Sequence, residues 1–164
     1  MNRDALPHHY DYDCEEWRTA EHEAIHAVAA AHLNVKIVSV DTHRKPDRRG
    51  CCHIQRPAWY ARSKHPERTA RGRNLLEREM ILTIAPFCYS EDHQGSCQSD
   101  LAFLDSTCKA LGITDRYPLF SRAVELVNRP VFERHVLIVT TLLVVFRELN
   151  EWDVRKACGL RKRT

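Results

Sequence analysis

Residues 15–33 read EEWRTAEHEAIHAVAAAHL, and this stretch decides most of what the sequence predicts about the fold. Its apolar residues recur at helical spacing: Trp17, Ala20, Ala24, Val28 and Ala31. The pattern predicts a long helix over Glu15–Leu33. Alanine dominates the second half, which favours the helix and keeps it slim enough for close packing against the core.

The same stretch contains an H-E-x-x-H motif, formed by His22, Glu23 and His26. On a helix the two histidines lie one turn apart on the same face, so both imidazoles can reach one metal ion. Glu23 stands beside the first ligand, where a carboxylate can accept a proton from metal-bound water. Because zinc lowers the pKa of its water to about 7, the motif predicts a catalytic zinc site. The alternative is a set of polar helix residues that bind no metal.

A third protein ligand has to come from outside this motif. His32 lies ten residues after His22, the spacing of the metzincin motif, but the glycine that turns the chain in that motif is Ala29 here. A continuing helix carries His32 about 9 Å along the axis from His26, so we expect His32 not to bind the same ion. The remaining candidates are Glu91, Asp92, His93 and Asp100.

Asp100 is favoured among these candidates because its backbone is expected to be anchored. It follows Ser99, a residue type that caps helices, and the helix dipole favours a negative charge at this end. The other three lie in the polar stretch Glu91–Gln98, which predicts a loop, where a fixed metal geometry is harder to maintain. His93 stays the alternative ligand, because imidazole binds zinc well.

The rest of the chain predicts a small sheet and several further helices, hence a mostly α member of the α+β class. The predicted strands are Val35–Asp41 and Cys51–Gln55. The further predicted helices run from after Pro66 to Tyr89, Ser99–Leu111, Leu119–Asn128, Val131–Asn150 and Glu151–Cys158. Pro86 is expected to kink or shorten its helix, whereas Gly112 and Gly159 are expected to end theirs.

Length and composition indicate one globular domain over residues 1–164, with an N-terminal arm at 1–14 and a basic tail at 160–164. The chain is 43% apolar and 29% charged, which excludes a disordered or fibrous protein. The most apolar run, Val136–Phe146, is expected to be mostly buried and is too short to cross a bilayer. No signal peptide is apparent at the N-terminus, so we expect a soluble protein.

Charge and cysteine content indicate which partners and which cellular compartment to expect. The net charge is +3, which excludes a general nucleic-acid coat. Residues 44–73 nevertheless contain ten Lys or Arg against two acids, which predicts a solvated, partly irregular basic segment. The seven cysteines include no C-x-x-C pair, which is typical of reduced thiols in the cytoplasm.

Two stretches resemble FtsH-type peptidases, the proteolytic half of membrane-bound ATP-dependent zinc proteases. Thr19–Val28 (TAEHEAIHAV) resembles the family motif T-A-x-H-E-A-G-H-A, and Ser96–Leu101 (SCQSDL) resembles the segment G-A-S-N-D-L, whose aspartate is the third zinc ligand. The resemblance continues in order along the chain: in the strand Val35–Val40, in the helix within Leu75–Glu91 and in a short final helix at Asn150–Cys158. It implies an FtsH peptidase-like helical domain.

The resemblance also implies roles for particular residues. It assigns zinc to His22, His26 and Asp100, and the general base to Glu23. The chain departs from the family at Ile25, which replaces the motif glycine, and at Pro86-Phe87, which replace Gly-Arg in the second helix. The sequence contains no P-loop motif, so the resemblance is to a stand-alone peptidase domain without the ATPase or the membrane anchor.

The sequence therefore predicts an ATP-independent zinc metallopeptidase that cleaves unfolded or short peptides. In this reading Glu23 acts as general base on metal-bound water, and Zn²⁺ is the cofactor. The alternative is a non-catalytic binding protein on the same fold, whose basic segment 44–73 holds an acidic partner or, less expectedly, nucleic acid. We expect neither ATP nor a membrane as a partner.

Overall fold

A computed structural model describes residues 14–43, 50–96 and 98–161. These residues form a mostly helical structure with one three-stranded antiparallel sheet, which confirms the α+β class. The helices are α1 Glu15–His32, α2 Ala58–Arg62, α3 Ala70–Tyr89, α4 Gln98–Leu111, α5 Tyr117–Val127, α6 Pro130–Phe146 and α7 Glu151–Ala157. The strands are β1 Ile37–Asp41, β2 Cys51–Ile54 and β3 Glu148–Asn150, and 3₁₀ turns occupy Pro66–Arg68 and Glu91–Ser96.

Helix α1 is the element around which the others pack. It begins after Cys14, whose sulfur accepts a hydrogen bond from the Trp17 backbone N–H, and every residue from Ala24 to Ala31 is buried. Small side chains let α3 and α6 approach α1 closely. The predicted helix is confirmed, and its second half is more completely buried than an amphipathic pattern requires.

The sheet has the order β2-β1-β3, and both neighbours run antiparallel to β1. Val40 of β1 pairs with Cys52 on one side and with Leu149 on the other. Strand β3 lies inside the predicted helix Val131–Asn150, so that prediction was wrong at its C-terminal end. The helix stops at Phe146 because Arg147 adopts a left-handed conformation, with φ of 64°, and turns the chain back towards β1.

Several other predictions need correction. Pro86 does not shorten its helix, since α3 continues through it to Tyr89. Ser99 is the second residue of α4 rather than its cap, because the helix begins at Gln98. The expected loop at Glu91–Gln98 is largely a 3₁₀ turn. The short helix α2 was not predicted.

Other expectations were met in part. Gly112 and Gly159 follow α4 and α7 with φ of 67° and 64°, the conformation expected of a glycine that ends a helix. The run Val136–Phe146 is buried along one side only, and its last two residues are more than half exposed.

No helix among the described residues is long and apolar enough to cross a membrane. Most of the predicted N-terminal arm, residues 44–49 of the basic segment and most of the basic tail lie outside the described residues.

Candidate metal centre

Three side chains from two helices converge at one point. Helix α1 contributes His22 and His26, and the first turn of α4 contributes Asp100. The Nε2 atoms of the two histidines lie 3.2 Å apart, and each lies 3.3 Å from Asp100 Oδ2. The three atoms thus form a nearly equilateral triangle.

The triangle has the dimensions of a metal site. Zinc binds nitrogen and carboxylate oxygen at about 2.0–2.2 Å, so its tetrahedral ligands lie about 3.3 Å from one another. Asp100 Oδ2 is buried, and two imidazole nitrogens lie close to it. A buried carboxylate oxygen in this position is satisfied by a cation. The residues present therefore fit a metal ion.

The backbone of α3 fixes the orientation of His26. Its Nδ1–H donates a hydrogen bond of 2.9 Å to the carbonyl oxygen of Leu82, which leaves the lone pair on Nε2 directed at the triangle. Metal-binding histidines are commonly held by such a bond from the other ring nitrogen. Sequence reasoning missed Leu82, because a backbone acceptor leaves no signal in the side-chain pattern.

The electrostatics act differently on the three side chains. Burial by itself raises the pKa of Asp100, but hydrogen bonding from His22 and His26 outweighs it and holds the pKa well below its usual range. Burial lowers the pKa of His22, so its ring tends towards the neutral form. Burial lowers the pKa of His26. The hydrogen bond and negative charge of Asp100, together with the negative charge of Glu23, outweigh this effect, so the pKa of His26 is raised. The donor set thus contains an ionised carboxylate.

Glu23 lies beside this triangle in a tightly enclosed place. It is 8% exposed, and burial raises its pKa to about 7, with His26 acting in the opposite direction. The backbone N–H of Cys52 in β2 donates a hydrogen bond to it. A Cβ atom placed on Gly50 would stand only 2.8 Å from Glu23 Cγ and 3.1 Å from its Oε1. The sheet therefore holds the carboxylate of Glu23 in one position.

Sequence reasoning missed the contact of Gly50 with Glu23. The residue type itself was a partial signal, because glycine is used both in turns and where another group approaches the backbone closely. Which group approaches it could not be deduced, since Gly50 and Glu23 are 27 positions apart.

His93, the alternative ligand, lies next to the triangle but outside it. Its ring is 5.6 Å from the ring of His22, and its Nε2 lies 3.2 Å from Glu21 Oε2. It is 2% exposed, so the prediction that it sits in a mobile polar loop was wrong. The first residues of the same turn, Glu91 and Asp92, are exposed and lie outside the cluster.

His32 belongs to a different part of the molecule. It is the last residue of α1, and its Nε2 lies 3.0 Å from Nδ1 of His135 in α6. Together with Cys158 these two residues form a second group of metal-binding side chains. The geometry thus agrees with the expectation that His32 does not complete the first triangle.

Part of the basic segment is engaged within the protein. Arg56 forms a bidentate ion pair with Glu79 of α3, which is 1% exposed. Arg71 lies over the ring of Trp59, with 4.3 Å between the guanidinium carbon and the ring centroid. Arg73 donates a hydrogen bond to the Glu67 carbonyl. Each of these arginines therefore interacts with a residue of the same segment or of α3.

No model of a known protein family matches the chain, and a search of curated proteins finds no significant match. The resemblance to FtsH-type peptidases accordingly stands on the two motifs and their order along the chain.

Proposed function

We propose that the protein is a zinc-dependent hydrolase of peptide bonds that works without ATP. The observation that carries this proposal is the triangle of His22, His26 and Asp100, with the buried carboxylate of Glu23 beside it. Two imidazoles and one carboxylate are the ligands of catalytic zinc sites that keep a fourth position open. The FtsH-like motifs support the same assignment.

Each residue has a defined task in this proposal. When bound, zinc supplies Lewis-acid polarisation of the scissile carbonyl and lowers the pKa of water. Glu23 accepts the proton of the attacking water and returns it to the leaving amine. The Cys52 N–H orients the Glu23 carboxylate for these transfers.

The sheet supports a substrate of extended conformation. Strand β2 is at one edge of the sheet, and it is the strand that contacts Glu23. An extended peptide can add to such an edge through backbone hydrogen bonds, which places its carbonyl groups near the metal ligands. The proposed substrates are therefore unfolded or short peptides.

A cytoplasmic location is part of the same proposal. Five of the described cysteines are free thiols: Cys14, Cys52, Cys88, Cys108 and Cys158. Free thiols in this number fit a reducing compartment.

The decisive experiment compares three variants by zinc content and by cleavage of an unfolded protein such as casein. Glu23→Gln should keep the zinc and lower the cleavage rate about 10²–10⁴-fold, because it removes the general base. His22→Ala should lose the ion of this centre together with activity. Glu16→Gln, a change on the exposed face of the same helix, is the matched control and should behave as wild type.

A wild-type cleavage rate in Glu23→Gln would refute the role of Glu23. Full zinc content in His22→Ala would refute the metal centre. If purified protein binds zinc at this centre but cleaves nothing, the non-catalytic binding protein becomes the better account.

A further inference from the structure

The second group of metal-binding side chains lies where the end of α1 meets α6 and α7. His32 is the last residue of α1, His135 is in the second turn of α6, and Cys158 follows the last residue of α7. One donor atom from each residue lies within 4.8 Å of the others. We call these three residues the C-terminal cluster.

The two imidazoles already face each other across a short gap. His32 Nε2 and His135 Nδ1 are 3.0 Å apart, slightly closer than two nitrogen ligands of a tetrahedral zinc ion. In the neutral rings one of these atoms donates its proton to the other. With His32 protonated at Nδ1 and His135 at Nε2, both facing nitrogens carry lone pairs and can bind one ion.

Cys158 completes the donor set with sulfur. Its side chain is 4% exposed, and burial raises the pKa of the thiol to about 11, so it is protonated when no metal is bound. Metal binding replaces the thiol proton, which passes to solvent. The sulfur has to approach the nitrogens by no more than about 1 Å, since zinc–sulfur bonds are about 2.3 Å long.

The surroundings of the two histidines favour neutral imidazoles. Burial lowers the pKa of His32 and of His135, which keeps both rings in the form that binds metals. Arg129 and Arg134 are close enough to act on these rings with positive charge. A bare cation would be repelled there, so the thiolate of Cys158 is the ligand on which binding should depend most.

We propose that the C-terminal cluster is a second, structural zinc site that joins the C-terminal helix to α1 and α6. Two nitrogens and one sulfur are ligands that zinc prefers, and the three residues come from α1, from α6 and from the position after α7. Zinc there would fix α7, and with it the preceding strand β3, against the rest of the protein. The site is independent of the proposed hydrolysis, since none of its ligands belongs to the first centre.

Zinc content distinguishes the two sites. Wild-type protein should hold about two zinc ions per chain, and both Cys158→Ser and His22→Ala should hold about one. The variant with both changes should hold none. His135→Gln provides a second test at a partly exposed position, where the loss of a ligand disturbs the packing less. Far-ultraviolet circular dichroism of each variant checks that it remains folded.

Cobalt substitution identifies the sulfur ligand without any measurement of activity. A thiolate bound to Co²⁺ gives an intense charge-transfer absorption in the near-ultraviolet, whereas nitrogen and oxygen ligands do not. The band should be present in wild type and in His22→Ala and absent from Cys158→Ser. Cys88→Ser is the matched control, because Cys88 is another partly enclosed thiol with a pKa raised to about 11.

The proposal is overturned if the folded wild-type protein shows no thiolate band with Co²⁺. It is also overturned if Cys158→Ser and His135→Gln both keep the full wild-type zinc content. Loss of zinc from His22→Ala alone bears only on the first centre, so the two assignments fail separately.

Discussion

Gly50 illustrates how one residue can control the position of a proposed catalytic group. Its Cα packs against Glu23 so closely that an added methyl group would meet Glu23 Cγ, Glu23 Oε1 and the carbonyl oxygen of Asp41 within about 3 Å. The backbone at Asp41 belongs to β1 and cannot move easily. Glu23 is therefore the group that would give way.

We predict that Gly50→Ala keeps the zinc of the first centre and lowers kcat about 10–100-fold, because displacement of a catalytic group by about 1 Å has effects of this size. Kinetics on a short peptide, together with zinc analysis, measure both quantities. Gly112→Ala is the control: it introduces strain at a positive φ, far from any neighbouring atom, and should lower stability without changing kcat. Wild-type turnover in Gly50→Ala would show that the contact with Glu23 has no catalytic consequence.

Asp100 and His93 both lie near His22, but only Asp100 places a donor atom close to both imidazole nitrogens of the candidate metal centre. Asp100 Oδ2 lies 3.3 Å from both imidazole nitrogens, whereas His93 directs Nε2 towards Glu21. We predict that Asp100→Ala abolishes tight zinc binding at this centre, and that His93→Ala weakens it by no more than the 10–100-fold typical of a supporting residue. Competition titrations with a chelator measure the two affinities. The reverse order would make His93 the third ligand.

At the scale of elements, one ion pair connects the segment after β2 to α3. Arg56 follows β2 and binds Glu79 through three hydrogen bonds of 2.7–3.0 Å. Glu79 is buried within α3, whereas the side chain of Arg56 is 41% exposed. Hydrogen bonding to Glu79 raises the pKa of Arg56, so the guanidinium stays charged throughout the physiological range.

We predict that Arg56→Met lowers the free energy of unfolding by about 2 kcal/mol, because it leaves the Glu79 charge buried without its partner. The value lies below that of a fully buried pair, since water can reach the site that Arg56 vacates. Urea denaturation at neutral pH measures the loss. Arg62→Met, a change at an exposed arginine of α2, should alter stability by less than about 0.5 kcal/mol. Equal stability of the two variants would mean that the ion pair does not anchor the segment.

At the scale of the whole molecule, the proposed function makes the arrangement of the sheet and the candidate metal centre a constraint on the substrate. A scissile bond has to reach Glu23 in an extended segment of chain, and the 164-residue sequence contains no P-loop that could supply ATP-driven unfolding. We predict that the purified protein cleaves a denatured domain and leaves the same domain intact when it is folded. Gel electrophoresis of both forms over time tests this. Cleavage of the folded form that ATP accelerates would contradict the prediction.

The sequence by itself determined the features that depend on local spacing. Helix α1, its pair of histidines and the adjacent Glu23 follow from a 3.6-residue period, which neighbouring residues establish. The ends of α4 and α7 followed from glycines that accept a positive φ. Asp100 could be preferred as the third ligand over the other three candidates because a helix start anchors its backbone. It also lies in the stretch Ser96–Leu101, which resembles a family motif.

Tertiary structure alone decided the features that join distant positions. Strand β3 exists because Arg147 turns the chain and β1 offers an edge, and the local pattern there is that of a helix. The carbonyl of Leu82, the contact of Gly50 with Glu23 and the meeting of His32 with Cys158 have no local period, since each joins residues more than 25 positions apart. Such contacts arise when whole elements pack against one another. They involve backbone groups and single side chains, and no repeating pattern in the sequence predicts them.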